Sequence, residues 1–235
     1  MEPARTRHRL LAPLPVERGF TLVEMLVVLS IILIITSIAL VGQSNFNRSL
    51  LLTDTAYTIA LSIRESQSLG LSSRRVGITE IQNAGYGVYF TTGNTYLQFA
   101  DTSPIEPGDD LDGICPGHDA ASGPEAKPGD CLYQTGADTV MKTYRFERGF
   151  KVSKFCGKPA AGGALACSDS ASPLTSLHVS FLRPNTESVI IGKRGASDVE
   201  LTSAHIYIQS ADASGTRGVC VSQVGQVSVA TSTCP

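Results

Sequence analysis

The sequence predicts an α+β fold, with one long N-terminal helix packed through its second half on a C-terminal antiparallel β domain. Three observations carry that reading. Residues 20–42 are apolar almost throughout, no proline occurs between Phe20 and Pro104, and Leu52, Ala56, Ile59, Ala60 and Ile63 then recur at helical spacing. From about residue 76 the pattern changes to short alternating runs separated by Gly, Pro and Asn. The 22 glycines and 12 prolines among 235 residues, with no Trp, suit a turn-rich β domain.

Taken in order, residues 1–19 form a short basic leader, in which Arg5, Arg7, Arg9 and Arg18 outweigh Glu2 and Glu17. As a helix, residues 20–42 span about 34 Å, enough to cross a hydrocarbon core of roughly 30 Å. The basic leader keeps the N-terminal side cytoplasmic and puts everything after Gly42 outside. The amphipathic half of the helix covers 43–75, with Arg64, Glu65 and Gln67 largely away from the apolar stripe and "GQSN" at 42–45 as its weak point. The β-rich head covers 76–235. "RRVGITEI" is a candidate strand, and "YGVYFTTGNTYLQFA" reads as a hairpin turning at Gly93-Asn94. Residues 101–138 read as a loop, and the whole segment of about 101–170 reads as an insertion. Within it "TYRFERGFKVSKF" alternates weakly. "SLHVSFLRP" alternates well, with Leu177, Val179 and Phe181 on one side and His178 and Ser180 on a polar face. "SVIIGK", "AHIYIQS", which holds His205, "RGVCVSQ" and "GQVSVA" complete the strands.

The net charge of −2 hides an uneven distribution. Residues 101–138 hold nine acids and only Lys127, whereas 142–158 hold six bases and only Glu147. An acidic whole with one local basic strand argues against general nucleic-acid affinity.

The six cysteines, Cys115, Cys131, Cys156, Cys167, Cys220 and Cys234, all follow the apolar segment. None forms C-x-x-C, and no histidine stands at zinc-ligand spacing from a pair. An even number on one side of a membrane segment reads as disulfides in an oxidising space. Pairing of sequence neighbours gives 115–131, 156–167 and 220–234, one of fifteen connectivities.

Glu24 is the anomaly in the apolar run. A carboxylate in a lipid span costs a few kcal/mol near the centre and less near an end. A cleaved secretory signal, with Ser37-Ile38-Ala39 as its small-residue site, leaves Glu24 unexplained, and so does a plain anchor. "RGFTLVE" resembles the cleavage and methylation motif of type IV prepilins and type II secretion pseudopilins. The order of short strands, with "SFLRPNTESVI" and "RGVCVSQVGQVSV" near the end, resembles the GspH/FimT-like group within them. The resemblance implies the pilin fold and cleavage after Gly19 by a membrane prepilin peptidase, which also N-methylates Phe20. It implies assembly with other pilin or pseudopilin subunits on an inner-membrane platform, with Glu24 meeting the N-terminal amine of a neighbour. It also implies a single-pass inner-membrane protein whose head lies outside the cytoplasm, in a cell-surface pilus or a periplasmic pseudopilus.

No nucleophile elbow, zinc-protease helix, P-loop or dinucleotide fingerprint occurs, so the sequence reads as structural and not enzymatic. "DDLDG" matches part of a calcium loop and makes Asp109, Asp110 and Asp112 the calcium candidates, the one cofactor the sequence suggests. Some relatives in the resembled group bind DNA through a G-R-x-R stretch. Here it is Gly225-Gln226-Val227-Ser228, neutral at both arginine positions, which leaves Arg217, Arg145, Lys151 and Lys154 as the cations nearby. The other class consistent with the chain is a membrane-anchored extracellular binding module that uses a prepilin signal, with 101–170 as its ligand face.

Overall fold

The computed structural model of the protein describes residues 19–72, 84–102, 129–182 and 186–234. The leader to residue 18, all of "RRVGITEI", Asp109, Asp110, Asp112, Cys115 and His118 lie outside them. The architecture is α+β: one helix followed by a large antiparallel sheet. The chain divides into two units, Met1–Phe46 and Asn47–Pro235.

Helix α1 runs Leu22–Leu71 without interruption at Gly42. It starts two residues later than Phe20 because Thr21 caps it, and it stops short of 75. Ser72 closes the last turn by donating its N–H to Ser68 O (3.2 Å) and Leu69 O (3.0 Å). In the first unit every side chain from Phe20 to Leu40 is exposed.

In the second unit the expected stripe is the core face. Leu52, Ala56, Ile59, Ala60 and Ile63 are all 7% exposed or less. They pack with inward residues of the sheet, among them Val88, Phe90, Leu177, Val179, Phe181 and Ile206. Polar contacts fix the helix in place along both flanks of that stripe. Buried Gln98 donates to Ser66 Oγ (3.0 Å), and Arg64 donates to Val227 O (3.1 Å). Arg217 donates to Ser49 Oγ (3.0 Å) and Thr53 Oγ1 (3.1 Å).

The strands are β1 Gly85–Phe90, β2 Thr95–Asp101, β3 Thr139–Arg145, β4 Lys151–Pro159, β5 Ala166–Cys167, β6 Ser176–Phe181, β7 Ser188–Arg194, β8 Ser197–Gln209, β9 Thr216–Ser222 and β10 Val227–Ala230. Their order is β10-β9-β8-β7-β6-β1-β2-β3, with β4 paired to β8 and β5 to β4. The long β8 joins two parts of the sheet: residues 197–201 pair with β7, 203–209 with β9, and 201–209 with β4. Gly93, in the β1–β2 turn, bridges to Val152 of β4 and draws the two parts together.

Two expectations need correction. The 101–170 segment is not wholly an insertion, because β3, β4 and β5 lie within it and belong to the sheet. "TYRFERGFKVSKF" is not one strand. A turn at Glu147–Phe150, with Arg148 (φ 55) and Gly149 (φ 75) in left-handed backbone, sends its two halves to different partners, β2 and β8. A weak alternation there reflects β3 on the exposed edge of the sheet, where both faces meet solvent.

Candidate functional site

At the N-terminus Gly19 and Phe20 precede the helix, and Phe20 is fully accessible at 76% exposed. Thr21 Oγ1 accepts the Glu24 backbone N–H at 3.2 Å, which makes Thr21 the N-cap and Glu24 the third helical residue. That is the T-x-x-E capping pattern. Its signal in the sequence is local: Thr21 stands three residues before Glu24 at the head of the apolar run. A carboxylate in a first helical turn also faces the positive end of the helix dipole, which offsets part of its cost.

The span Leu22–Leu40 has mean hydropathy 2.7. Its hydroxyls are satisfied within the helix: Ser30 donates to Leu26 O (2.8 Å), Thr36 to Ile32 O (2.8 Å) and Ser37 to Leu33 O (2.7 Å). A polar side chain bonded to its own helix is compatible with lipid, where an unmet donor costs several kcal/mol.

The helix also carries a second apolar stripe in the head unit. Leu50, Tyr57 and Leu61 share one face and are 52%, 55% and 64% exposed. This face lies well away from the buried one, so the helix is apolar on two sides.

The two described histidines, His178 and His205, lie inside the fold. His178 does stand on the face opposite Leu177, Val179 and Phe181, but that face is not polar surface: His178 is 1% exposed and Ser180 fully buried. Residues 129–133 cover it, forming a second small core of Cys131, Leu132, Leu182 and Ile191. Tyr133 donates its N–H to His178 Nδ1 (2.9 Å), and His178 Nε2 pairs with Ser176 Oγ (3.0 Å). Burial, with Lys193 adding repulsion, pushes the His178 pKa down to about 3. His205 is also buried, at 7% exposed, and burial lowers its pKa too. Nothing in the sequence marked this covering, since its anchor is a set of backbone amides. Asp101 accepts the N–H of Asp130 (3.2 Å) and Cys131 (2.7 Å), and Asp138 accepts those of Thr102 (2.9 Å) and Gln134 (2.6 Å). Gly129 (φ 106) permits the approach, because a Cβ there would overlap the Asp101 carboxylate. Asp130 in turn accepts the N–H of Leu132 (2.9 Å), so three of the acids in 101–138 hold backbone.

A pH dependence follows. A histidine held neutral in the fold is protonated first in the unfolded chain, so stability is lost as pH falls below about 6.5 toward 3. His205 adds the same sign. Asp130, raised by burial, has the opposite sign, its contribution being lost as pH rises. His178→Asn keeps an acceptor for Tyr133 N–H and does not titrate. Melting curves of the 47–235 fragment should show a smaller drop in Tm between pH 7 and pH 4.5 for this variant than for the parent. An identical drop in both would remove His178 from the account.

Cys156 is bonded to Cys167, joining β4 to β5, and Cys220 to Cys234, tying the C-terminal tail to β9. Cys131 is also disulfide-bonded, to a partner outside the described residues. Cys156, Cys167 and Asp169 form the one cluster of possible metal ligands among the described residues, and its two sulfurs are already joined to each other. Arg217 is engaged with the helix and Lys154 pairs with Asp169 (3.3 Å), so neither is a free phosphate contact.

Residues 15–40 match the family model of the prokaryotic N-terminal methylation motif. No curated protein and no solved structure matches the chain. The motif indicates a type IV pilin- or pseudopilin-like precursor.

Proposed function

We propose that this chain is a structural minor pilin or pseudopilin of the GspH/FimT-like kind, a subunit of a type IV pilus-like filament or a type II secretion pseudopilus. A prepilin peptidase cuts it between Gly19 and Phe20 and methylates the new amine. The helix anchors it in the inner membrane with the oxidised head outside the cytoplasm, and other pilin or pseudopilin subunits draw it onto an assembly platform. The observation that carries this reading is the methylation motif at the start of an apolar helix whose side chains are all exposed from Phe20 to Leu40. Such a surface needs lipid before assembly and neighbouring helices after it. The disulfides agree with an oxidising compartment.

The experiment is mass spectrometry of the mature protein from its native membranes. The expected N-terminus is N-methyl-Phe20. A mature N-terminus near Leu40 would show ordinary signal-peptidase processing and end the filament reading.

A further inference from the structure

Ala204, Ile206 and Ile208 of β8 face the core, so His205 lies on the opposite face of the sheet. Its direct neighbours in register are Cys156 of β4 and Cys220 of β9, each held in a bridge. Side chains directly opposite on one face have Cβ atoms about 4.5–5.5 Å apart. An imidazole therefore stands between two disulfides. Its Nδ1 is buried and has no hydrogen-bond partner among the described residues. A buried ring nitrogen left unpartnered is costly. Oxidation removes just such a partner, because a thiol has a hydrogen to give and a disulfide sulfur has none.

Of the two flanking bridges, the surface favours 220–234. A cleft of about 150 Å³ opens beside His205, and Cys220 lines it together with Ser203, Ser222, Gln226 and Ser228. A reagent arriving from solvent meets Cys220 with the imidazole next to it. Arg217 donates to Thr231 O (3.3 Å) and so holds the start of the tail that carries Cys234. The neighbouring charges are engaged or remote. Lys154 of β4 pairs with Asp169, Lys158 is exposed opposite Ser203, Arg217 of β9 is turned to α1, and β10 carries no charge. Burial holds the His205 pKa below its ordinary value, so the ring is neutral at pH 7 and free to take up a proton.

We propose that His205 is the base that activates Cys220 for closure of the 220–234 bridge. The oxidant is a small disulfide, RSSR, of the kind that exchanges with thiols. The Cys220 thiol passes its proton to the imidazole, and the thiolate attacks one sulfur of RSSR. This gives Cys220–S–S–R and RS⁻, which takes the proton back from the imidazolium and leaves as RSH. The Cys234 thiol then loses its proton and attacks the Cys220 sulfur, closing the bridge and releasing a second RSH. Two protein thiols are oxidised and one RSSR is reduced, by the same two electrons. The inference stands apart from the filament reading.

The test uses the full chain in detergent with Cys234→Ser, which leaves Cys220 as the free thiol while the other bridges stay closed. Its reaction with oxidised glutathione is followed by mass spectrometry from about pH 5 to about pH 10. The rate should be half-maximal well below the ordinary thiol value of about 8.5, as for a thiol paired with an imidazole. His205→Gln on that background does not titrate. It should return the midpoint to about 8.5 or above and lower the rate at pH 7 about tenfold. Superimposable profiles with and without His205, or a midpoint at or above about 8.5 in the parent, overturn the proposal. A second measurement separates a loss of fold from a loss of base. In the six-cysteine chain, reduced without denaturant and reoxidised with the same disulfide, His205→Gln should slow closure of 220–234 about tenfold and leave the Cys131 bridge at the parent rate. Slowing of 156–167 in its place, or of all bridges alike, also overturns it.

Discussion

Gly70→Ala should destabilise the head, although alanine is the better helix former. Gly70 lies in the last turn of α1, and a Cβ added there would stand 2.5 Å from the backbone oxygen of Phe181 and 3.0 Å from its carbonyl carbon. Helix propensity favours alanine by about 1 kcal/mol. Overpacking costs roughly 1–3 kcal/mol, and the atom met here is backbone, which cannot rotate aside. β6 lies at the middle of the sheet with all six residues buried, so it cannot retreat without parting from β1 or β7. The steric term wins. For a unit of this size each kcal/mol lowers Tm by about 2–4 °C. Thermal melting of the 47–235 fragment should show a drop of several degrees, while Ser68→Ala, at an exposed position of the same turn, changes little. Gly70→Val, bulkier at Cβ, should be worse than Gly70→Ala. A raised Tm for Gly70→Ala would mean that the helix end is not held against β6.

What the sequence made legible was whatever follows a period. Leu52 to Ile63 announced the buried helix face, and Leu177, Val179 and Phe181 announced the inner face of β6. The hairpin at Gly93-Asn94 followed from turn chemistry. What stayed hidden depends on contacts distant in sequence. His178 alternates correctly, yet its burial comes from residues 129–133, held there by Asp101 and by Ser180 Oγ donating to Cys131 O (2.9 Å). No local pattern reports that. The division of 143–155 between β2 and β8 is likewise a matter of partners. The functional signal was almost wholly local, because Gly19, Phe20 and Glu24 fall within the one short stretch that matches the methylation motif. A groove between α1 and the β3–β4 turn was invisible, since its lining comes from 51–58, Tyr96 and 144–150.

Glu24→Leu should abolish incorporation into the filament while sparing insertion and cleavage. Glu24 has two separable roles. One is local: its N–H meets Thr21 Oγ1 and it is an acidic residue in the first helical turn, where a negative charge gains about 0.3–1 kcal/mol from the helix dipole. The other belongs to the proposed assembly, where the methylated amine of Phe20 on an adjacent subunit supplies the partner charge. A buried pair that loses one member costs about 3–5 kcal/mol, because the remaining charge is stranded. That is a loss of a hundredfold or more at about 1.4 kcal/mol per decade. The assembly term is several times the local one and should dominate. Leucine suits lipid better than a carboxylate, so membrane insertion should hold or improve. Cleavage after Gly19 should persist, since that junction precedes the first helical residue, Leu22. Glu24→Gln separates the two roles. Glutamine also serves at the third position of a capping box and has nearly the same shape, but it carries no charge. Glu24→Asp keeps the charge with a shorter reach and should retain part of the function. The measurement is crosslinking in native membranes, with incorporation scored against the amount of processed protein. If Glu24→Gln incorporates like the parent, capping and shape suffice and no charge pair with Phe20 exists; if Glu24→Leu does as well, Glu24 serves only recognition by the peptidase.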